Sequence, residues 1–464
     1  MNTQDTICAI ATAQGGAIGV IRISGKDAIA ITDRIFTPVG KHPLPLSERK
    51  AYTMAFGHIR QDDGEIIDEV LIGLFKSPHS YTGEDCVEIS CHGSSFILQQ
   101  VMQLLIRKGC RAAGPGEFTQ RAFLNGKMDL SQAEAVADLI ASSYAATHRM
   151  AMNQMRGGFS RELSALRERL LHLTSLMELE LDFSDHEELE FADRSELETI
   201  AGDIEKVISG LVHSFSVGNV LKNGIPVAIV GETNAGKSTL LNTLLNEEKA
   251  IVSDIHGTTR DVIEDTVNLS GITFRFIDTA GIRDTHDTIE NMGIARSFHK
   301  MEQAEIVLWV VDNTCAEAQI RQLSPRILPL CSNKQLIILL NKSDQVSAVP
   351  TKLSGLPENT VTLSISAKEK TGIQELQNLL VKTASVPELT SSDLIVTNVR
   401  HYEALSLALE DIHRVQNGLQ THLSGDFISQ DLRECLFHLA EIVGGEITAD
   451  EVLGNIFMKF CIGK

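Results

Sequence analysis

The pattern of hydrophobic and polar residues changes twice along the chain, and each change predicts a different kind of domain. Over residues 1–125, short alternating runs typical of strands are interleaved with runs of helical period. The strand-like runs are Ala17–Ile23, Cys86–Cys91 and the hairpin pair Ala51–Ile59 and Ile66–Phe75, around the turn residues Asp62-Asp63-Gly64. Helical runs occupy Lys26–Phe36 and Ser94–Arg107. This region is therefore expected to be an α+β domain.

From about Asp129 the hydrophobic period becomes helical. Seams of apolar residues three and four positions apart predict amphipathic helices. Their members are Leu163, Leu166, Leu170, Leu173 and Met177; Leu197, Ile200, Ile204, Val207 and Leu211; and Leu432, Cys435, Leu439 and Ile442. Gly444-Gly445 is expected to end the last of these helices, and Thr448 with Glu451 has the pattern of a capping box for a further one. The acidic stretch Asp182–Glu190 is interpreted as a solvated connector.

Between these helical parts the sequence has the βαβ pattern of a parallel sheet. The expected core strands are Ile225–Val230, Ile272–Ile277, Glu305–Val311, Leu336–Leu340 and Val361–Ile365. Because an isolated amphipathic helix needs a partner for its apolar stripe, we expect the α/β domain to be inserted into a helical one. The predicted fold is multidomain α/β: an N-terminal α+β domain (1–125), an all-α domain in two parts (126–222 and 386–464), and an inserted, doubly wound, mostly parallel domain (223–385).

Composition indicates a globular, cytoplasmic protein with no membrane segment. No apolar run approaches the roughly 20 residues of a spanning helix, and Met1–Ile10 lacks the basic residue of a secretory signal. The eight cysteines are scattered, as free thiols in a reducing cytosol would be. A metal site at Cys86, Cys91 and His92 is disfavoured because the strand pattern puts the two cysteines on opposite faces. The net charge of −20 means that contact with nucleic acid would need a local patch or a partner.

A phosphate-binding loop follows the first strand of the inserted domain. Gly231–Ser238 reads G-x4-G-K-S and leads into an apolar helix, which is the setting this motif requires. Its glycines let backbone N–H groups surround a phosphate, Lys237 reaches the β and γ oxygens, and Ser238 can hold Mg²⁺. Taken alone, the motif leaves the identity of the base open.

Three further motifs, each after a strand, specify guanine. Asp278-Thr279-Ala280-Gly281 offers a carboxylate for Mg²⁺ through water and an N–H for the γ-phosphate. In Asn341-Lys342-Ser343-Asp344, the Asp344 carboxylate can accept both N–H donors of guanine, which adenine cannot offer. Ser366-Ala367-Lys368 suits a contact to guanine O6. We therefore expect GTP as the ligand.

The segment Asp254–Asp261 is expected to fold over the γ-phosphate as the switch, with Thr259 completing the Mg²⁺ shell. Arg260 could act as an arginine finger, although an exposed switch arginine is the commoner case. The residue after the Asp278–Gly281 motif is Ile282, which cannot orient water. The acidic loop Arg283–Met292 is the expected source of that group, with Asp284, His286, Asp287 and Glu290 as candidates or as plain surface charge.

Several motifs together resemble one family, the bacterial tRNA-modification GTPases called MnmE or TrmE. They are Gly231–Ser238, Gly257–Asp261, Asp278–Ile282, Gly19–Gly25, Tyr81–Asp85, Gly114–Phe118 and Phe460-Cys-Ile-Gly-Lys464. The resemblance covers the whole chain, and the C-terminal motif combined with the N-terminal ones is its most specific part. It implies a folate-binding-like N-terminal domain, a helical domain and an inserted Ras-like G domain.

The resemblance also implies a chemistry and partners. It implies a homodimer built through the N-terminal domains and a complex, such as a heterotetramer, with the FAD-containing MnmG (GidA) protein. That complex would add an aminomethyl or carboxymethylaminomethyl group to C5 of the wobble uridine of certain tRNAs. The one-carbon unit would come from 5,10-methylenetetrahydrofolate, for which a formyl-tetrahydrofolate is an analogue. The positions that match the family's folate contacts are Arg22, Glu88, Lys127 and Lys464.

Each of these positions also has a purely structural interpretation. Arg22 and Glu88 sit in strands and could pair with each other, Lys127 could be an exposed loop lysine, and Lys464 a frayed end. Cys461 could add to C6 of a uracil and make C5 nucleophilic, or it could be a buried cysteine at a helix end.

In the G domain the family uses K⁺ where other GTPases use an arginine finger. The matching K⁺ ligands are Asn234, Ser253, Ile255 and Thr258, and Glu290 matches the family's water-orienting glutamate. Thr233 replaces a proline frequent in the family. The expected Mg²⁺ ligands are Ser238 and Thr259. The full set of expected GTP contacts is Asn234, Ala235, Gly236, Lys237, Ser238, Thr239, Ser253, Asp254, Ile255, His256, Gly257, Thr258, Thr259, Asp278, Thr279, Ala280, Gly281, Asn341, Lys342, Asp344, Ser366, Ala367 and Lys368.

The alternative hypothesis is a regulatory or ribosome-assembly GTPase that binds RNA without modifying it. Such a switch would have no use for a folate site or a terminal thiol.

Overall fold

The computed structural model describes residues 5–13, 15–40, 43–142, 145–182, 194–248, 265–277, 301–346, 356–357, 360–384, 394–445, 456–457, 460 and 462–463. The chain divides into two compact units. The first contains Met1–Ser143, His148–Val212 and Val399–Lys464, and the second contains Tyr144–Thr147 and His213–Asn398. None of the described helices is both long enough and apolar enough to cross a membrane.

A seven-stranded sheet forms the N-terminal part of the first unit, in the order β3-β4-β5-β6-β2-β1-β7. Its strands are β1 (Ile7–Ile10), β2 (Ile18–Ser24), β3 (Phe36–Pro38), β4 (Thr53–Arg60), β5 (Ile66–Phe75), β6 (Cys86–His92) and β7 (Arg111–Ala112). Helices α1 (Ala28–Asp33) and α2 (Ser95–Arg107) share the core of one sheet face. The predicted hairpin is confirmed as the antiparallel pair β4–β5.

The opposite face of this sheet keeps large apolar side chains in solvent. Phe56 on β4 lies directly across from Leu71 on β5, and these side chains are 46% and 43% exposed. Met54, two positions earlier on β4, is 64% exposed. A contiguous apolar patch of this kind is typical of an interaction surface.

The helical part of the first unit brings together two distant stretches of the chain. Its helices are α3 (Glu117–Leu124), α4 (Leu130–Ala141), α5 (Ala145–Met155), α6 (Gly158–Asp182), α7 (Arg194–Asn223), α11 (Val399–Gln420) and α12 (Gly425–Val443); the last residues of α7 belong to the second unit. Helix α12 packs on both α6 and α11, and an ion pair of 2.7 Å joins Arg433 of α12 to Glu178 of α6. The predicted packing of the two separate helical stretches against each other is thus confirmed.

The predicted seams are confirmed on α6 and α12, and Gly444 ends α12 in the left-handed conformation at φ 85°. On α7 the prediction was partly wrong: the buried positions are Leu197, Ala201, Ile204, Ile208 and Leu211, so Ile200 and Val207 lie beside the seam. The reason is that Ala201, which a search for large apolar residues passes over, is fully buried and belongs to the seam. The proposed capping box at Thr448 and Glu451 and the connector 183–190 lie outside the described residues.

The helix predicted over Lys26–Phe36 is shorter than expected. Helix α1 ends at Asp33, and Phe36 begins β3, where it pairs with Ile59 of β4. The apolar residues at the end of this run satisfied a helical period, but pairing with the neighbouring strand decided their conformation.

The second unit contains a six-stranded sheet in the order β13-β12-β11-β8-β10-β9, parallel except for β9. Its strands are β8 (Ile225–Val230), β9 (Asp265–Leu269), β10 (Ile272–Phe276), β11 (Ile306–Asp312), β12 (Gln335–Asn341) and β13 (Val361–Ser364). Helices α8 (Lys237–Glu248) and α10 (Ile373–Thr383) share one core and α9 (Ala316–Ile327) another. Alternate residues of β8 enter the two cores, which confirms the doubly wound, mostly parallel fold.

Candidate nucleotide site and candidate C-terminal site

The phosphate-binding loop joins β8 to α8, and its glycines are required by close contacts. Gly236 has φ 97°, and a Cβ there would collide with the side-chain amide nitrogen of Asn341. Gly231 has φ 147°, and a Cβ there would collide with the carbonyl oxygen of Val310 on the neighbouring strand. Only glycine combines these backbone angles with this lack of space. Asn234, between them, is also left-handed, at φ 64°.

Lys237 is anchored to the loop it follows. Its Nζ donates to the carbonyl oxygens of Gly231 at 2.8 Å and Glu232 at 2.6 Å. Ser238 and Thr239 occupy the first turn of α8, directly after it.

Asn341 braces three of the sequence motifs at once. It is 3% exposed; its amide nitrogen donates to the carbonyl of Ala235 at 2.8 Å, and its Oδ1 accepts from the N–H of Ala367 at 2.9 Å. The phosphate-binding loop and the two base-recognition motifs are therefore held in one rigid arrangement.

The two groups expected to recognise guanine are brought together. Ser366 Oγ donates to Asp344 Oδ1 at 2.7 Å, which fixes the plane of that carboxylate, while the Asp344 side chain stays exposed. Lys368 extends into solvent with its side chain 80% exposed. The carboxylate can thus accept hydrogen bonds from two N–H donors on the edge of a base that lies in its plane.

Asp312 at the end of β11 is a site residue that the sequence analysis missed. It accepts from Lys342 Nζ at 2.5 Å and from the N–H of Thr314 at 3.0 Å. Burial alone would raise the pKa of Asp312, but the bonds from Lys342 and Thr314 hold it below its usual value. Lys342 itself is left-handed at φ 65°. A carboxylate directly after an apolar strand was the available signal.

Several predicted site residues lie outside the described residues. These are Ser253, Asp254, Ile255, His256, Gly257, Thr258, Thr259, Asp278, Thr279, Ala280, Gly281, Glu290, Cys461 and Lys464, as are Arg260 and the other polar residues of the loop Arg283–Met292.

In the first unit, Arg22 and Glu88 pair across adjacent strands. They are register partners of β2 and β6, and Glu88 Oε1 accepts from Arg22 Nη2 at 2.8 Å and from Nε at 3.0 Å. The guanidinium also lies over the rings of Tyr81 and Phe118, at 5.5 and 5.8 Å from their centroids. Burial raises the pKa of Tyr81 although a hydrogen bond to Thr119 and the charge of Arg22 oppose it.

Residues near the C-terminal motif reach the same place. Arg22 Nη1 donates to the carbonyl of Gly463 at 3.3 Å, and Ile462 forms an antiparallel bridge with Pro115. Phe457 and Phe460 pack on Leu130 and Ala133 of α4. The structure therefore unites Arg22, Glu88 and the segment on either side of Cys461.

Lys127 is placed differently. Its Nζ donates to the carbonyl of Pro78 at 3.0 Å, on the loop that precedes Tyr81, and its side chain is exposed. It thus borders the Tyr81 loop rather than the Arg22–Glu88 pair.

The glutamates of two N-terminal motifs converge on one buried arginine. Arg121 is 3% exposed and pairs with Asp5 at 2.5 Å, Glu117 at 3.1 Å and Glu84 at 3.3 Å. Burial alone would raise the pKa of Glu117, but hydrogen bonds from Arg111 and the Gly114 N–H keep it below its usual value. This network fixes the loop that carries Tyr81 and the start of α3, which carries Phe118, next to Arg22.

Two family models match the chain. "MnmE helical domain" matches residues 130–461, and "GTP-binding protein TrmE N-terminus" matches residues 6–127.

Curated relatives match over the full length. The tRNA modification GTPase MnmE of Bacteroides thetaiotaomicron is 66% identical over 99% of this chain and all of the relative. The protein of the same name from Flavobacterium johnsoniae is 52% identical over the whole of both chains. Among solved structures, Era in complex with MgGDPNP and nucleotides 1506-1542 of 16S ribosomal RNA is 30% identical, covering 40% of this chain and 65% of that one at a TM-score of 0.27. The two family models and the full-length similarity to these relatives lead to one assignment: the chain belongs to the MnmE family of tRNA modification GTPases.

Proposed function

We propose that this protein binds and hydrolyses GTP as a component of tRNA modification. The observation that supports it best is Asn341, which holds the phosphate loop against both base-recognition motifs while Asp344 stays open to a base. The curated relatives carry the name tRNA modification GTPase.

The base preference can be tested at Asp344. The carboxylate accepts two N–H donors of guanine, whereas an amide in its place accepts one and donates one, which suits xanthine. We expect Asp344→Asn to exchange GTP hydrolysis for xanthosine triphosphate hydrolysis. Unchanged use of GTP by this variant would contradict the assignment.

Hydrolysis is proposed to depend on two cations and a glutamate. Ser238 and Thr259 would hold Mg²⁺ together with Asp278 through water; Asn234, Ser253, Ile255 and Thr258 would hold K⁺; and Glu290 would orient the attacking water. Of these four positions, Asn234 is the one among the described residues, and it lies in the phosphate loop with a left-handed backbone. We expect faster hydrolysis in KCl than in NaCl, with Glu290→Ala slow in both; equal wild-type rates would contradict the K⁺ site.

The first unit is proposed to bind a reduced folate at Arg22, Glu88, Lys127 and Lys464. Both hydrogen bonds from Arg22 go to Oε1 of Glu88, and Oε2 accepts no hydrogen bond from the described residues. Oε2 can therefore accept hydrogen bonds from the N–H donors of a pterin-like ring. The folate would supply the one-carbon unit. A measured stoichiometry of 5-formyltetrahydrofolate binding, lost in Glu88→Ala, would test this; full binding by the variant would contradict it.

Cys461 is proposed as the thiol that adds to C6 of the uracil, so that C5 becomes nucleophilic. We expect Cys461→Ser to abolish modification of the wobble uridine and to spare GTP hydrolysis. If Cys461→Ser still modifies the uridine, the catalytic role is contradicted and Cys461 has a structural role.

The assembly is proposed to be a homodimer that works with the FAD-containing MnmG protein in the cytoplasm. The exposed Met54, Phe56 and Leu71 on the N-terminal sheet support a self-association surface. Phe56→Arg is expected to give a monomer in analytical ultracentrifugation, and an unchanged dimer would place the interface elsewhere.

The proposed domain division remains 1–125 for the N-terminal domain, 126–222 with 386–464 for the helical domain, and 223–385 for the inserted domain.

A further inference from the structure

Five arginines of α5, the turn after it and the first half of α6 are exposed: Arg149, Arg156, Arg161, Arg167 and Arg169. Residues 145–172 contain only two acidic residues, Glu162 and Glu168, although the chain as a whole has a net charge of −20. None of the five guanidiniums forms an ion pair with any residue that the structure describes.

Other arginines of the same unit behave differently. Arg111, Arg121 and Arg414 each contact two or three carboxylates. The five arginines of residues 145–172 are therefore a local excess of positive charge over Glu162 and Glu168, and none of them forms an ion pair with a described carboxylate.

Two of these arginines border a cleft of about 440 Å³ between the start of α4 and the start of α6. Arg156 and Arg161 form one side, and Asp129 and Gln132 the other. Arg161 Nη1 donates to the backbone carbonyl of Arg156 at 2.9 Å, so the two residues are held side by side. The hydroxyl of Ser164 adds a further polar group.

The carboxylates of the cleft do not cancel this charge. Asp129 is engaged in capping α4, because its Oδ1 accepts from the N–H of Gln132 at 2.9 Å and from Ser131 Oγ at 3.0 Å. Glu168 is the other carboxylate of the lining. Two guanidiniums thus face one uncommitted carboxylate, and the planar fork of arginine matches the oxygens of a phosphate.

The cleft lies beside the segment that carries Cys461. Asp129 and Gln132 line the cleft, while Leu130 and Ala133 of the same helix turn pack on Phe457 and Phe460. Because successive helical residues are about 100° apart around the axis, the cleft and the Phe457–Phe460 contact lie on adjacent faces at the start of α4.

We propose that this cleft and the arginines around it hold the phosphate backbone of the anticodon stem–loop of a tRNA. The proposal rests on the proposed tRNA modification function and names the surface that receives the RNA. With the backbone bound on one face of the start of α4, a nucleotide of the loop can be presented to the segment around Cys461, which packs on the adjacent face. A localised surface of this kind reconciles an acidic protein with a polyanionic substrate.

The test measures binding of a labelled anticodon stem–loop RNA, with uridine at the wobble position, to the full-length protein at several KCl concentrations. We expect Arg156→Ala with Arg161→Ala to weaken binding about tenfold and to reduce the slope of log K against log salt by about 1.4, because two phosphate contacts of about 0.7 each are lost. Glu168→Gln should strengthen binding. Arg433→Ala, which removes an exposed arginine already paired with Glu178, is the matched control and should bind as the wild type does.

GTP hydrolysis without RNA is measured for every variant and should be unchanged. Wild-type affinity and salt slope in the double variant, or an equal loss in Arg433→Ala, would overturn the surface and leave the proposed function intact. Absence of RNA binding by the wild-type chain at low salt would also overturn it. If the wild-type protein does not hydrolyse GTP, that result would instead contradict the proposed function.

Discussion

Arg400 forms a bidentate ion pair with Glu134, at 3.0 Å from Nε to Oε1 and 2.9 Å from Nη2 to Oε2. The same guanidinium donates to the carbonyl oxygens of Glu441 and Ile442 at 2.7 and 2.9 Å, which closes the end of α12. Glu134 also contacts His401 Nε2 at 2.7 Å, and the ring of His401 stacks on Phe159 at 5.3 Å. One buried carboxylate therefore joins α4, α6, α11 and α12.

Removing Glu134 should strongly destabilise the first unit. The surrounding helices leave the Glu134 side chain only 9% exposed. Its loss would leave a partly buried guanidinium without its counter-charge. We expect Glu134→Ala to cost about 3–5 kcal/mol in urea unfolding. The exposed pair Arg433–Glu178 is the control, and Arg433→Ala should cost less than about 1 kcal/mol; similar losses in both variants would contradict the argument.

Stability should also depend on pH through Glu134. Burial would raise the pKa of Glu134, but the hydrogen bonds and charges of His401 and Arg400 lower it from 4.5 to about 2. A carboxyl whose pKa is lowered by folding contributes stability that is complete above about pH 4.5 and is lost as the pH falls through about 2. The difference in unfolding free energy between wild type and Glu134→Gln should therefore shrink over this interval, and a constant difference from pH 6 to pH 2 would contradict it.

Gly236→Ala should abolish nucleotide binding. The added Cβ would collide with the Asn341 amide, which holds the phosphate loop to the base-recognition motifs. Gly271 is a matched control, because it also has a positive φ, at 86°, but nothing lies within 4 Å of a Cβ placed there. Gly271→Ala should keep normal affinity for a fluorescent GDP analogue. Equal affinity losses in the two variants would mean that backbone strain, rather than the collision, is responsible.

Asp312→Asn should weaken nucleotide binding moderately. The neutral amide would lose the charge attraction that holds Lys342 Nζ in place. Because both side chains are partly exposed, at 13% and 29%, we expect about a fivefold loss of affinity, which corresponds to roughly 1 kcal/mol. Titration with the same analogue measures it, and an unchanged thermal unfolding midpoint would show that the effect is local. A wild-type affinity would remove Asp312 from the site.

Features that depend on neighbouring residues were predictable from the sequence, and features that depend on distant partners were not. The glycines of the phosphate loop and the seam of α6 follow from local conformation and periodicity. The pair of Arg22 with Glu88 was foreseen only as one alternative, since cross-strand register decides it. The role of Arg121 was missed because Asp5 lies 116 positions away in the sequence. The buried seam of α7 differs from the predicted one because it includes the small residue Ala201, whereas the prediction was based on large apolar residues.

Arg121 also has a consequence for how this sequence can change over time. Asp5, Glu84 and Glu117 come from three separate stretches of the chain, yet all contact one guanidinium in the interior, and Arg111 pairs in addition with Asp5 and Glu117. A substitution at Arg121 would leave three carboxylates close together, with Arg111 paired to two of them, and a neutral replacement of one carboxylate would be tolerated only with a changed neighbour. These four positions are thus expected to evolve as a coupled set, in which single replacements are selected against and viable changes occur jointly.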